Sequence, residues 1–202
     1  MRVLSVDARV AGRDRVALAG LIESAEVDVA CVHNGPHLLR WRAICAAIGR
    51  RSGLVVVTGG RPAGGNLLLS TLGVDVVATG GISFAEGSTS RPAGAALACL
   101  RRGGTRLVVV SATLSRPGPA RAAQAARLTG AATALAHDDL PTVICIHDTQ
   151  QPRTAAGEAL AAGRSAVGDR VFVDQRLGVA QSREMPEYAS GGLPPLVVDI
   201  GS

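Results

Sequence analysis

The pattern of apolar and polar positions divides the chain into short apolar runs separated by amphipathic stretches. Apolar runs bounded by Gly, Pro or Ser predict strands, and apolar residues spaced three or four positions apart predict helices. The predicted strands are residues 3–6, 27–32, 54–57, 66–70, 74–77, 95–100, 107–111, 143–146, 171–173 and 196–198. The predicted helices are residues 14–25, 37–50, 119–136 and 154–162.

The order of these elements predicts the fold class. Two strand–helix halves that mix parallel and antiparallel pairing indicate an α/β four-layer sandwich, with two mixed β-sheets packed face to face and helices on the outer faces. No repeat, linker or low-complexity segment divides the sequence, so residues 1–202 are expected to form one domain. Residues 59–65 are glycine-rich but lack the GK[ST] ending of a phosphate-binding loop, which favours a hairpin connection.

The amino-acid composition limits the kinds of partner that the protein is expected to bind. All 21 basic residues are arginines, for which a GC-rich, bacterial type of codon usage is a sufficient cause, and the net charge is +5. This charge permits a weak anionic ligand, but no aromatic residues alternate with the arginines, so nucleic acid is not the favoured partner. The four cysteines form no C-x-x-C pair and predict buried free thiols in a reducing, cytoplasmic location. No apolar run is long enough to span a bilayer, so no membrane partner is expected.

Several segments, taken in order, resemble the endonuclease/exonuclease/phosphatase superfamily, which includes the DNase I-like nucleases. The opening strand of that family commonly reads R-V-L-T-W-N-V-R, and its later motifs read D-V-V-C-L-Q-E, G-N-A-I-L-S, L-V-V-V-N-T-H-L and P-V-V-L-A-G-D-F-N. The corresponding segments here are RVLSVDAR (2–9), VDVACVHN (27–34), GNLLLS (65–70), LVVVSATL (107–114) and PTVICIHDTQ (141–150). The resemblance implies the DNase I-like four-layer sandwich.

The resemblance also implies a metal site, which this chain has altered. In the family an acidic residue on the second strand binds the divalent metal that neutralises the scissile phosphate. Asn34 stands at that position, and a neutral amide alone is a poor ligand for Mg²⁺. Asp7 replaces the asparagine of the first strand and could still bind a metal. No cofactor is therefore expected, or Mg²⁺ or Mn²⁺ if the protein is active.

The catalytic positions implied by the resemblance are mostly changed. Asp148 matches the aspartate that orients or deprotonates water, and Gln150 replaces its asparagine partner with a side chain one methylene longer. Thr113 replaces the strand histidine that steadies the phosphate. Gly191 and Gly192 replace the closing Asp and His. Such groups act as a unit, so these losses predict a catalytically impaired or inactive domain.

Two hypotheses follow from these replacements. The first is a pseudoenzyme that serves as a binding or regulatory module, with an unidentified protein partner or a weak anionic ligand. The second is a metal-dependent phosphoric ester hydrolase with a site rebuilt around Asp7 and Asp148. Strand alternation predicts that His33 faces away from the site if Asn34 faces it, and likewise His147 beside Asp148. Both histidines are therefore expected to be structural.

Overall fold

The structure, a computed structural model, describes residues 1–12, 14–84, 93–114, 119–137, 139–147, 155–168, 170–189 and 193–201. The strands are β1 Arg2–Asp7, β2 Val29–His33, β3 Val55–Gly60, β4 Asn66–Ser70, β5 Asp75–Ser83, β6 Gly94–Arg102, β7 Thr105–Thr113, β8 Thr142–His147, β9 Arg164–Val167, β10 Val171–Asp174, β11 Gly178–Glu184 and β12 Leu196–Gly201. The helices are α1 Arg15–Ser24, α2 Trp41–Arg51, α3 Pro119–Leu135 and α4 Ala155–Ala161.

The strands form two six-stranded mixed sheets. The first has the order β11-β12-β1-β2-β4-β3, and the second has the order β5-β6-β7-β8-β10-β9. In each sheet one central pair is parallel, β1 with β2 and β7 with β8, and the other pairs are antiparallel. Parallel pairing brings the carboxyl ends of β1 and β2 to one edge, and those of β7 and β8 likewise.

Three apolar clusters separate four layers of secondary structure. The first lies between the sheets and includes Val3, Leu68 and Val109. The second joins the outer face of the β5–β10 sheet to α3 and α4, and the third joins the other sheet to α1 and α2. The predicted four-layer sandwich is therefore confirmed. The edge strands β9 and β11 were not predicted, because their residues are largely exposed and carry no apolar alternation.

The start of α2 differs from the prediction. The sequence predicts a helix from residue 37 with Leu38 on its packing face, but the helix begins at Trp41. Residues 38–41 form a turn in which the Trp41 amide donates to the Leu38 carbonyl at 3.2 Å, and Arg40 has a left-handed backbone with φ 60°. Leu38 is consequently 74% exposed. Apolar spacing alone could not distinguish this turn from the first turn of a helix.

The layer between the sheets changes character along the strands. At one end its side chains are apolar, and this apolar end comprises Val3, Val29, Cys31, Leu68, Val109, Val143 and Cys145. Near the carboxyl ends of β1, β2, β7 and β8 they are polar, and this polar end comprises Ser5, Asp7, His33, Asn66, Ser111, Thr113 and His147. The candidate site is built from the polar end.

Candidate functional site

A buried hydrogen-bond network around His33 forms the floor of the site. Its Nε2 lies 3.0 Å from the Ser5 hydroxyl, and its Nδ1 lies 3.3 Å from both Asn66 Oδ1 and the Ser111 hydroxyl. Asn66 Nδ2 donates to the carbonyls of residues 63 and 94, so Oδ1 is free to accept, and Thr113 Oγ1 donates to it at 2.9 Å. Because Asn66 Oδ1 only accepts, His33 must carry its proton on Nδ1 and accept from Ser5 through Nε2.

The environment keeps His33 neutral. It is fully buried, and this burial lowers the pKa of His33 to about 3. A protonated ring would also lose the acceptor that Nε2 offers to Ser5. His33 is thus a structural histidine, as the sequence analysis expected.

The carboxylate of Asp7 lies above this floor and is held by Arg9. The Arg9 guanidinium donates to Asp7 Oδ2 through Nη2 at 2.7 Å and through Nε at 2.9 Å, and the Arg9 amide donates to Oδ1 at 3.0 Å. Asn34 Nδ2 also donates to Oδ1, at 3.1 Å. Burial is the largest single influence and pushes the pKa of Asp7 upward, but the opposing effects together, with the Arg9 side-chain hydrogen bond first among them, hold the pKa below its ordinary value. Asp7 is an ionised, paired carboxylate.

His147 completes this cluster from the opposite sheet. Its Nε2 lies 2.6 Å from Arg9 Nη2 and 3.3 Å from Asp7 Oδ2. A guanidinium can only donate, so Nε2 accepts this bond and the ring is the neutral Nδ1–H tautomer. The His33 and His147 rings are 6.0 Å apart between centroids. Arg9 therefore uses one nitrogen to bind both Asp7 and His147.

The prediction that His33 and His147 face away from the site is wrong. On β8, Val143 and Cys145 face the other sheet, and strict alternation carries His147 to the same face. On β2 the same rule places His33 between the sheets after Cys31. The prediction assumed that alternation continues to residue 34, but β2 ends at His33.

Asn34 reaches the site by leaving the strand. Its φ is 52°, in the left-handed region, and this turn brings its amide beside Asp7. Asparagine adopts this conformation more readily than most residues that carry a Cβ. Asn34 and Asp7 therefore lie together as predicted, although the reason is a backbone turn and not strand alternation.

The remaining predicted residues divide into two groups. Thr113 is at the polar end and is linked to His33 through Asn66. Asp148, Gln150, Gly191 and Gly192 lie outside the described residues. Sequence reasoning missed Arg9, which sits two residues after Asp7, and Asn66. The available signal was polar residues at inward positions of otherwise apolar strands, such as Ser5 on β1 and Ser111 on β7.

Comparisons with known proteins establish the fold. No protein-family model matches the sequence, and no curated protein matches it either. A mannosyl-6-phosphatase from Bacteroides thetaiotaomicron has a similar structure, with a TM-score of 0.78, 12% identity and coverage of 100% of both chains. The human Nocturnin catalytic domain with a bound sulfate anion has a TM-score of 0.76 and 14% identity over 100% of this chain and 93% of that one. An endonuclease/exonuclease/phosphatase protein from Bacteroides vulgatus has a TM-score of 0.74 and 13% identity over 99% and 98%. The chain has the DNase I-like fold of the endonuclease/exonuclease/phosphatase superfamily.

The described donor set does not fit the divalent metal that this fold family implies. Both oxygens of Asp7 already accept hydrogen bonds, and Asn34 turns a donating Nδ2 toward them. Hard cations such as Mg²⁺ need several oxygen ligands, and Asp7 is the one carboxylate in this described cluster. Across the described part of the chain, no three His, Cys, Asp or Glu side chains are grouped so that they could hold a metal ion.

Proposed function

We propose that this chain is a degenerate member of the superfamily that lacks metal-dependent phosphoryl-transfer activity and serves as a binding or regulatory domain. The observation that carries the proposal is the ion pair of Arg9 with Asp7, which puts a guanidinium against the carboxylate expected to bind a metal. Metal binding would have to break this pair and remove the Asn34 bond to the same carboxylate.

The charge balance supports the same proposal. Asp7 and Arg9 cancel each other, and His147 is neutral while it accepts from Arg9. Phosphoryl transfer requires a concentrated positive charge on the phosphoryl oxygens together with a positioned base. A half-exposed guanidinium already paired with a carboxylate supplies little of the first. A protein partner or a weakly held anion is the ligand class consistent with this site.

Calorimetric titration with Mn²⁺ tests the proposal directly. We expect no measurable binding to the wild-type protein, and no Mg²⁺- or Mn²⁺-dependent hydrolysis of bis(4-nitrophenyl) phosphate or 4-nitrophenyl phosphate above background. Arg9→Gln releases Asp7 and should produce weak Mn²⁺ binding, whereas Arg51→Gln, an exposed arginine at the end of α2, should not. Robust metal-dependent turnover by the wild type that Asp148→Ala abolishes would overturn the proposal.

One observation favours a second candidate function, a hydrolase with a rebuilt site. His147 lies 3.3 Å from Asp7, so an Asp–His pair occurs where the sequence analysis expected none. The structural neighbour from Bacteroides thetaiotaomicron is described as a mannosyl-6-phosphatase, which makes a phosphate monoester the first substrate class to test. Asp7 and Asp148 would then share a weakly held Mg²⁺ or Mn²⁺, and Arg9 would have to release His147.

The two candidate functions predict different effects of replacing His147. Under the rebuilt-site hypothesis, His147→Asn abolishes a measurable phosphatase activity and the exposed His137→Asn leaves it intact. Under the proposal above, neither the wild type nor either variant hydrolyses the substrate. A pH profile of wild-type activity would show the titration of a rate-controlling histidine only under the rebuilt-site hypothesis.

A further inference from the structure

Two adjacent leucines project from the turn before α2. Leu38 is 74% exposed and Leu39 is 89% exposed. Single exposed leucines are common on protein surfaces, but an exposed pair on the tip of a turn is a protruding apolar feature. The left-handed backbone of Arg40, at φ 60°, shapes this turn and so presents both leucines.

Cationic side chains follow the leucines directly. Arg40 and Arg42 are exposed, and the Arg42 guanidinium lies 4.6 Å from the ring centroid of Trp41. We call Leu38, Leu39, Arg40, Trp41 and Arg42 the Leu38–Arg42 surface. Residues 29–74, which include this surface, contain five arginines and no acidic residue. Arg40 also leaves the first turn of α2 without a side-chain cap, and the positive end of that helix dipole lies at the same place.

A cavity of about 430 Å³ lies beside the leucines. Leu38 and Leu39 form part of its wall together with Leu18, Ile44 and Ile48. Arg15 also lines the cavity and makes no ion pair with any residue in the described part of the chain. The surface therefore combines a protruding apolar tip, an apolar recess and unpaired cations.

We propose that the Leu38–Arg42 surface docks this domain on a bilayer that contains anionic phospholipids. The two leucines enter the boundary between headgroups and acyl chains, Arg40 and Arg42 contact lipid phosphates, and Trp41 lies at headgroup depth. Charge complementarity selects this occupant, because the surface joins exposed aliphatic side chains to Arg15, Arg40 and Arg42, and Asp14 is the single acidic residue among the described residues that line the cavity. The proposal does not depend on whether the Asp7 site is active, because residues 38–42 belong to no part of that site, although Arg9 and Asn34 also line the cavity.

The chain carries its own reporter for this contact. Trp41 is the single tryptophan, so its fluorescence reports on this surface alone. With vesicles of phosphatidylcholine and phosphatidylglycerol, we expect co-sedimentation of the wild-type protein and a blue shift of Trp41 emission. With vesicles of phosphatidylcholine alone, we expect binding weaker by about tenfold or more, because each basic residue adds to attraction by an anionic surface.

Two double variants distinguish the contribution of the leucines to vesicle binding from that of the arginines. The double variant Leu38→Gln/Leu39→Gln should lower partitioning onto the anionic vesicles by about tenfold or more, through loss of inserted apolar area. Arg40→Gln/Arg42→Gln should have a similar effect and remove the salt dependence. The matched control is Leu72→Gln/Arg51→Gln, which replaces a leucine that is 86% exposed and an exposed arginine elsewhere on the protein. All the substituted side chains are exposed, and circular dichroism checks that each variant is folded.

Four outcomes would overturn the proposal. The first is a wild type that does not bind anionic vesicles. The second is a control variant that loses as much vesicle binding as the two test variants. The third is a wild type that is dimeric by light scattering and becomes monomeric on Leu38→Gln/Leu39→Gln, since the leucines would then be covered by a second copy. Equal partitioning onto neutral and anionic vesicles would contradict the role of the arginines.

Discussion

The two ends of the layer between the sheets are made by the same strands and the same alternation, yet they differ in chemistry. On β2, Cys31 belongs to the apolar end and His33, two residues later, to the polar end. On β4, Asn66 is at the polar end and Leu68 at the apolar end, and both are fully buried. Asn66 and Leu68 are therefore equally buried, and the difference between them lies in how their side chains are satisfied.

The buried ionisable groups respond to the same solvent exclusion in opposite directions. Burial raises the pKa of the Cys31 thiol well above its usual range, and the neighbouring Cys145 adds to this shift. Burial lowers the pKa of His33 to about 3. Both shifts favour the neutral form, because a low-dielectric interior disfavours charge of either sign. At the rim of the layer the Asp7 carboxylate is ionised, because Arg9 supplies a counter-ion.

The buried part of the polar end, around His33 and Asn66, is a closed hydrogen-bond system beneath Asp7. Asn66 makes four side-chain hydrogen bonds, and His33 uses both ring nitrogens. A network whose members are satisfied costs little when intact, but breaking one member leaves several buried polar groups without partners. The apolar end lacks this vulnerability, because its contacts are not directional.

The largest expected effect is the difference in the free energy of unfolding between Asn66→Leu and Leu68→Met. Asn66→Leu removes both donors and the acceptor, so two carbonyls and the Thr113 hydroxyl lose a hydrogen bond and the His33 N–H keeps only its contact with Ser111. We expect the free energy of unfolding to fall by about 4 kcal/mol, since each unsatisfied buried group costs roughly 1–3 kcal/mol. Leu68→Met nearly conserves volume and should cost less than about 1.5 kcal/mol. Urea denaturation measures both, and equal losses would show that the two ends do not differ as described.

The second effect is the dependence of stability on pH. The pKa of His33 is about 3 in the folded protein, below the ordinary value of 6.5. Above pH 6.5 neither state is protonated, so the full stability is present. As the pH falls from 6.5 toward 3, the unfolded state binds a proton that the folded state does not, and stability is lost. This contribution should be roughly 3 kcal/mol between pH 7 and pH 4.

The readout is the slope of unfolding free energy against pH. Carboxylates such as Asp7 and Asp199 have lowered pKa values and also lose stabilising contacts in acid, so the wild-type slope alone is not diagnostic. His33→Gln should flatten the slope relative to the wild type, whereas the exposed His137→Gln should not. If His33→Gln does not fold, the ring resonances of His33 in the wild type give the answer, because titration near pH 6.5 would contradict the burial effect.

The two ends also differ in how far the sequence predicted them. Apolar alternation was enough for the central strands and the four layers, because side chains at the apolar end need only be apolar and inward. At the polar end the resemblance identified Asp7, Asn34 and Thr113, but the orientation of His33 and His147 was predicted wrongly. For His33, one residue with a positive φ, Asn34, ended the alternation on which the prediction relied. The Arg9 contact with Asp7 and His147 joins residues 138 positions apart, and no local pattern encodes it.

The third prediction concerns the charge at the rim of the polar end. In the double variant Arg9→Gln/Asn34→Asp, the guanidinium is removed and a second carboxylate is placed beside Asp7. We expect measurable Mn²⁺ binding, which the wild type should lack, because two carboxylates can share the ion. Calorimetric titration measures the affinity, and Arg51→Gln/Asn34→Asp is the control. If that control binds as tightly as the double variant, the Arg9 ion pair is not what prevents metal binding.

The smallest expected effect is a difference in stability that depends on the turn bringing Asn34 to Asp7. Asn34→Asp and Asn34→Glu both introduce a carboxylate, but Asp tolerates the left-handed backbone better than Glu does. Asn34→Glu should therefore be about 1 kcal/mol less stable than Asn34→Asp in urea denaturation at neutral pH. The charge change is the same in both variants, so the difference isolates the backbone at φ 52°. Equal stabilities would mean that residue 34 relaxes out of this conformation on substitution. The short reach from Asn34 to Asp7 would then reflect the asparagine side chain itself and not a turn fixed by the end of β2.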